Sequence, residues 1–264
     1  MSTFNFYHSG DLGDIIYSLP CIEALGGGNL ILGNNNLYKH STPTIKITPN
    51  LVDQFKTILL NQSYIKNILF ENKIKINFNL NKFRYLFNKW NNNELSVLES
   101  NKLKQTNIVD LYKNEFGITN NLYIKKWLYT NYSITLSNII INRTERYNNY
   151  NFPWKQIVND FKNQIVFLGH KKEYEKFVLD FGNVSYYKTN FKECLEILNG
   201  CKLFIGNQSF LYSLAEGLKI PTLQETDTYM PNCCFYRKNS YITNTLHKTD
   251  FKKIKSFIIY QLLK

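Results

Sequence analysis

The stretch from Thr3 to Leu25 constrains this chain more than any other. Phe4 and Phe6 alternate with polar neighbours, which predicts a first strand. Ser9, Gly10, Asp11 and Gly13 predict a turn in which the two glycines allow backbone angles or close approaches that a Cβ would block. Ile15, Ile16, Leu19, Ile22 and Leu25 then set a helix, with Asp14 in or near its first turn. A carboxylate there is favoured by the helix dipole and stays ionised at neutral pH. It also lies toward the carboxyl end of the strand, where open α/β sheets keep their ligands. Two readings stay open: a charged base at the lip of a cleft, or a helix-start aspartate that stabilises its helix and nothing else.

The rest of the chain repeats this strand–helix rhythm. Gly26-Gly27-Gly28 is expected to close the first helix. A short strand is predicted over 29–32, an asparagine-rich loop over 33–44, a helix over 51–60 and a strand over 65–70. Residues 78–98 are ambiguous, although Phe83, Leu86, Phe87 and Trp90 fit a helical face. A helix over 108–116 ends at Gly117, and residues 122–133 are expected to bridge two halves, with Trp127 and Tyr129 as packing residues. The pattern restarts at Ile134. Strands are predicted at 139–141, 165–168, 184–187, 202–205 and 222–223, and helices around Ile157–Phe161 and over 173–181, 191–199 and 210–218. The tail over 251–263 reads as a packing helix. Such alternation implies an α/β architecture with mostly parallel sheets. It predicts two Rossmann-like, doubly wound domains facing a cleft, 1–133 and 134–245, with 246–264 packed back on the body.

A length of 264 residues suits one large or two small domains. The formal charge of +12, from 32 basic and 20 acidic residues, favours anionic partners such as nucleotides, nucleic acid or acidic glycans. Its lysine clusters, Lys171-Lys172 and Lys252-Lys253-Lys255, read as solvated helix faces. Five cysteines without a CxxC pair suggest reduced thiols and a cytoplasmic setting. Adjacent Cys233 and Cys234 have no histidine near them in sequence and do not read as a metal site. No signal peptide is expected, and no stretch is long and apolar enough for a membrane span.

In the second half, Arg143 and Arg146 lie just past a buried strand, where guanidinium groups can reach a diphosphate. A pair of surface arginines near Glu145 is the equal alternative. Gly206-Asn207-Gln208-Ser209 precedes a helix, so its N–H groups and hydroxyl can meet a phosphate, or Ser209 or Asn207 can simply cap the helix. Glu216, inside that helix, faces either a ligand or a salt-bridge partner.

Ser9 through Leu25 resembles the opening of the heptosyltransferase-like glycosyltransferases, glycosyltransferase family nine. Phe204 through Ser209, continued by Leu214 through Pro221, resembles that family's second signature, with Asn207-Gln208-Ser209 where the family has Asp-Thr-Gly. Arg143 through Phe152-Pro153-Trp154-Lys155, followed by Phe167-Leu168-Gly169 and Glu173, is similar to its middle motif, with Pro-Trp in inverted order. The family's histidine in the helix after the second signature falls near Tyr212 or Ser213. The three motifs occur in the family's order.

The resemblance implies a GT-B fold, with the acceptor held by the N-terminal domain and a nucleotide sugar by the C-terminal one. It implies an inverting, metal-independent transfer to a hydroxyl of a glycan or lipopolysaccharide-like acceptor, with no cofactor beyond the nucleotide-sugar co-substrate. Asp14 matches the family's proposed base, with Ser9, Gly10, Asp11 and Gly13 forming the acceptor loop. Arg143, Arg146, Lys155, Asn207, Gln208 and Ser209 are then the candidates for the diphosphate, and Glu173 for the ribose or base. The alternatives are a nucleic-acid-modifying glycosyltransferase of the same fold and a non-catalytic nucleotide- or glycan-binding module. A Rossmann dehydrogenase fits less well, because Gly10-x-x-Gly13 lacks the first glycine of G-x-G-x-x-G.

Overall fold

A computed structural model describes residues 3–34, 45–71, 74–243 and 250–264. Residues 35–44 of the asparagine-rich loop and the expected boundary at 245/246 lie outside the described residues. The chain divides into two compact units, Met1–Tyr129 and Thr130–Lys264.

Backbone clasps explain why the division falls at Tyr129 rather than at Ser133. Gln62 donates to the Tyr129 carbonyl (3.0 Å) and accepts from its N–H (2.9 Å), tying that residue to the first unit. Asn199 donates to the Tyr132 carbonyl (3.1 Å) and Ile134 N–H to Glu196 (3.0 Å), which places residues 130–133 with the second. Trp127 is buried as expected, whereas Tyr129 is 45% exposed, with the Lys126 ammonium 5.6 Å from the centre of its ring.

The first unit runs β1 (Phe4–His8), α1 (Leu12–Ala24), β2 (Gly28–Leu32), α2 (Pro49–Leu59), β3 (Ile65–Phe70) and β4 (Phe78–Asn79). It continues through a helical turn, Lys82–Arg84, to α3 (Tyr85–Asn91), α4 (Val97–Gln105) and α5 (Ile108–Glu115). The parallel sheet has the order β3-β2-β1-β4. Helix α1 starts earlier than its glycines suggested. Gly13 lies within it, and neither Gly10 nor Gly13 is among the positive-φ glycines. Left-handed backbone falls instead at Gly26 (φ 92°) and Gly27 (φ 75°). Their N–H groups bond back to Glu23 and Ile22, so the helix ends in a Schellman motif.

The second unit runs β5 (Ile139–Asn142), α6 (Trp154–Phe161), β6 (Ile165–Leu168), α7 (Lys171–Phe181), β7 (Ser185–Tyr187) and α8 (Phe191–Asn199). Then come β8 (Leu203–Gly206), α9 (Phe210–Leu218), β9 (Thr222–Gln224), β10 (Ser240–Ile242) and α10 (Phe251–Leu263). Its parallel sheet has the order β10-β9-β8-β5-β6-β7. Ile139, Ile140 and Ile141 are fully buried, as a central parallel strand covered on both faces requires. Ile254 and Ile258 seat α10 in the same core as Ile141, Ile205 and Leu223.

Both sheets reverse winding direction beside their first strand. In the first unit the reversal lies between β1 and β4, in the second between β5 and β8. Crevices outside the carboxyl ends of such strands are where open α/β sheets bind ligands.

Candidate functional site

The turn after β1 opens at the first unit's reversal point. Ser9 is buried: its N–H donates to Asn81 Oδ1 (3.5 Å) and its hydroxyl accepts from Asn81 Nδ2 (3.2 Å), which joins the loops after β1 and β4. Gly10 N–H donates to His8 Nδ1 (2.9 Å). That leaves the proton of the neutral ring on Nε2, where it meets the Tyr112 hydroxyl at 2.8 Å. Tyr112 donates in turn to the Asp14 carbonyl (3.0 Å). Asp11 occupies the N-cap position of α1, and its carbonyl accepts from Ile15 N–H (3.1 Å).

Asp14 stands in the first turn of α1, as the sequence predicted. Its carboxylate forms an ion pair with Arg84, both side chains being mostly buried. The Arg84 guanidinium lies over the rings of Phe83 (5.0 Å) and Phe87 (5.2 Å). The acid is therefore held between a helix start, a hydroxyl-pinned backbone and an arginine backed by two aromatic faces.

In the second unit, Asn142 ends β5 directly beside Gly206 at the end of β8. The next residue, Arg143, is buried against Glu225 just beyond β9. Its Nε lies 2.9 Å from Glu225 Oε2 and its Nη2 3.1 Å from Oε1. Glu225 also accepts from Asn149 N–H (2.8 Å) and Trp154 Nε1–H (2.9 Å). Burial pushes its carboxyl above the usual range, against the downward pull of Arg143, Trp154 and Asn149. Arg143 also packs over the Phe181 ring (5.0 Å). The structure thus places Arg143 as the clasp of its loop, with two guanidinium nitrogens committed to Glu225.

Asn207, fully buried, ties the same loop to the end of β8. Its Oδ1 accepts from Thr144 N–H (3.0 Å), and its Nδ2 donates to the Thr144 (3.2 Å) and Arg146 (2.5 Å) carbonyls and to Asn148 Oδ1 (3.1 Å). A carboxylate could not donate to those carbonyls. Asn207→Asp is therefore expected to lower stability by about 1–3 kcal/mol, measured by urea denaturation. Gln208 Nε2 donates to the Met230 carbonyl (2.9 Å) and Asn232 Oδ1 (3.1 Å), and Ser209 caps α9 through Tyr212 N–H (3.1 Å). Glu216 resolves as an ion-pair partner of Arg237 and Lys219, each 2.8 Å away.

Arg146 is exposed, its guanidinium 5.3 Å from the ring of Tyr147, a residue in left-handed backbone (φ 58°). Lys155 lies exposed in the first turn of α6. Arg143 and Glu173 line one pocket with Thr144, Glu145, Lys176 and Phe177. Burial pushes the Glu173 carboxyl up, while the His170 N–H it accepts (3.2 Å) pulls it down. Gly169 (φ 154°) lets Asn142 and Glu173 approach where a Cβ would stand.

Sequence reasoning missed Arg84, Tyr112, Asn81 and Glu225. A usable signal existed for Glu225, a charged residue directly after a buried strand. None existed for Arg84, which sits in a segment whose secondary structure was ambiguous. Among the described residues no group of three or more His, Cys, Asp and Glu is placed to hold a metal ion. Within the same residues, no helix is long and apolar enough to cross a membrane.

Compared with protein-family profiles and with curated proteins, the chain matches none. Its fold does match solved structures. One is a glycosyl transferase of family 9 from Veillonella parvula, at 13% identity and TM-score 0.53, covering 96% of this chain and 88% of that one. Another is the E. coli heptosyltransferase WaaC with ADP-2-deoxy-2-fluoro heptose, at 11% identity and TM-score 0.54, covering 97% and 99%. A third is the iron-containing dodecameric glycosyltransferase TibC of enterotoxigenic E. coli, at 14% identity and TM-score 0.57, covering 91% and 62%. The chain has the α/β fold of the GT-B glycosyltransferase structures.

Proposed function

We propose that this chain is an inverting glycosyltransferase of the family-nine kind, moving a sugar from a nucleotide-sugar donor to a hydroxyl of a glycan or lipopolysaccharide-like acceptor. One observation carries the reading: a carboxylate, Asp14, stands in the first turn of a helix at the reversal point of a parallel sheet. In the step proposed, the acceptor oxygen bonds to the anomeric carbon as the carbon–oxygen bond to the diphosphate breaks. Asp14 takes the hydroxyl proton, and the bonding pair leaves with the diphosphate. Arg146, Lys155 and the N-terminal end of α9 are the groups proposed to meet that charge, without a metal or other cofactor. Arg84 is assigned to positioning Asp14, and Arg143 to shaping the loop that carries Arg146. The match to a solved heptosyltransferase holding an ADP-sugar analogue supports a nucleotide-sugar donor. Five buried free cysteines support a cytoplasmic setting.

The test is a thermal-shift panel of ADP-, UDP-, GDP- and CMP-linked sugars. A donor at about 100 times its dissociation constant adds about 2.7 kcal/mol to stability, a shift of several degrees. No shift with any nucleotide sugar would overturn the proposal. Arg146→Ala is expected to weaken the active donor's binding about tenfold or more, read by calorimetry. An unchanged dissociation constant removes Arg146 from the phosphate site.

One observation favours a second reading, a binding module without turnover: the Asp14 carboxylate is ion-paired with Arg84. Donor binding without transfer to any hydroxyl acceptor would select it.

A further inference from the structure

Helix α10 turns Ile254 and Ile258 fully into the core, yet beyond the exposed Ser256 the C-terminal half of its opposite face is apolar as well. Ile259, Tyr260 and Leu263 are 40%, 55% and 82% exposed. Helical spacing sets these three together along the last two turns, with Lys252 and Lys253 on the same exposed side one to two turns earlier and Lys264 beyond. Residues 251–264 include no aspartate or glutamate. Two acids beside the helix are engaged: Asp250 caps it through Lys252 N–H (3.0 Å), and Asp160 pairs with Lys255 (2.7 Å). The Lys264 ammonium lies 4.1 Å from the centre of the Tyr260 ring.

A surface helix of a globular protein ordinarily turns a polar face outward. An outward face of aliphatic and tyrosyl side chains rimmed by lysines matches a helix lying in the plane of a membrane interface. There the apolar groups enter the acyl boundary and the ammonium groups stay with the headgroups. We propose that α10 docks this chain on an anionic lipid surface, with Ile259, Tyr260 and Leu263 inserted and Lys252, Lys253 and Lys264 on the headgroup charge. Charge complementarity selects that occupant. A second copy of the chain would set this acid-free, lysine-rimmed face against another of the same sign, whereas an anionic leaflet attracts it. The inference stands on this helix alone and does not depend on the sugar-transfer reading.

The experiment floats the full chain with vesicles of phosphatidylglycerol and phosphatidylethanolamine, against vesicles of phosphatidylcholine alone. The expected result is binding to the anionic vesicles that weakens as salt is raised. Lys252→Ala/Lys253→Ala should lower the partition coefficient roughly twenty-fold. Leu263→Ser should lower it roughly tenfold, with an unchanged melting curve because that side chain touches solvent. Equal retention on neutral and anionic vesicles overturns the proposal, as does parental binding by both variants. A concentration-dependent dimer abolished by Leu263→Ser, without vesicle binding, overturns it in favour of a second copy. If Leu263→Ser melts early, Tyr260→Ser takes its place.

Discussion

Asp14→Asn is expected to lower sugar transfer by about 10²–10⁴-fold while the donor dissociation constant stays at its parental value. The two side chains are nearly the same size, and the Asp14 carbonyl that accepts from Tyr112 is retained. What disappears is the carboxylate proposed to receive the acceptor's proton. The donor-side candidates Arg146 and Lys155 both lie in the other unit, so binding and turnover should separate. The variant also leaves Arg84 without its carboxylate. A melting curve recorded beside the kinetics therefore distinguishes lost chemistry from lost structure. Turnover at the parental rate would take Asp14 out of the mechanism and leave it as a helix-start residue paired with an arginine.

The fold was legible wherever side chains reported burial. Ile139-Ile140-Ile141 reads as a strand buried on both faces because parallel strands bury both faces. Helix α8, Phe191–Asn199, lies where its apolar spacing put it. Elements whose stability resides in the backbone left no such trace. Strand β10 is three half-buried residues held by pairing with β9, and α4 buries only Leu103 behind a capping box of Ser96 and Glu99. At the site, the place of Asp14 was legible because a helix start is a local feature. Its partner was not, since Arg84 reaches it only through tertiary packing. The arginines show the limit most clearly: sequence marked Arg143 and Arg146 alike, and folding separated them into a buried clasp and an exposed group. Asn207 behaves similarly. Standing where the family this chain resembles has an aspartate, it reads from sequence as a change in a ligand site, while the structure shows an amide whose donors hold the loop.

That separation makes Glu225 consequential for stability outside the apolar core. Glu225→Gln is expected to destabilise the second unit by about 3–5 kcal/mol, because it strips a buried guanidinium of its counter-charge. Arg143→Leu should cost a similar amount by leaving Glu225 charged, buried and unpaired. The double variant Arg143→Leu/Glu225→Leu should cost clearly less than the two single losses added, since no charge then remains in the cluster. Urea denaturation of the three variants measures the coupling. Strict additivity, or a parental midpoint for Glu225→Gln, would mean that the pair does not organise the loop. The same series bears on the donor site. If Arg143 only shapes the loop, its effect on nucleotide binding should track the loss of stability across the three variants. Arg146→Ala should instead weaken binding while leaving the urea midpoint in place, because its side chain is exposed and the backbone carbonyl that Asn207 holds is untouched.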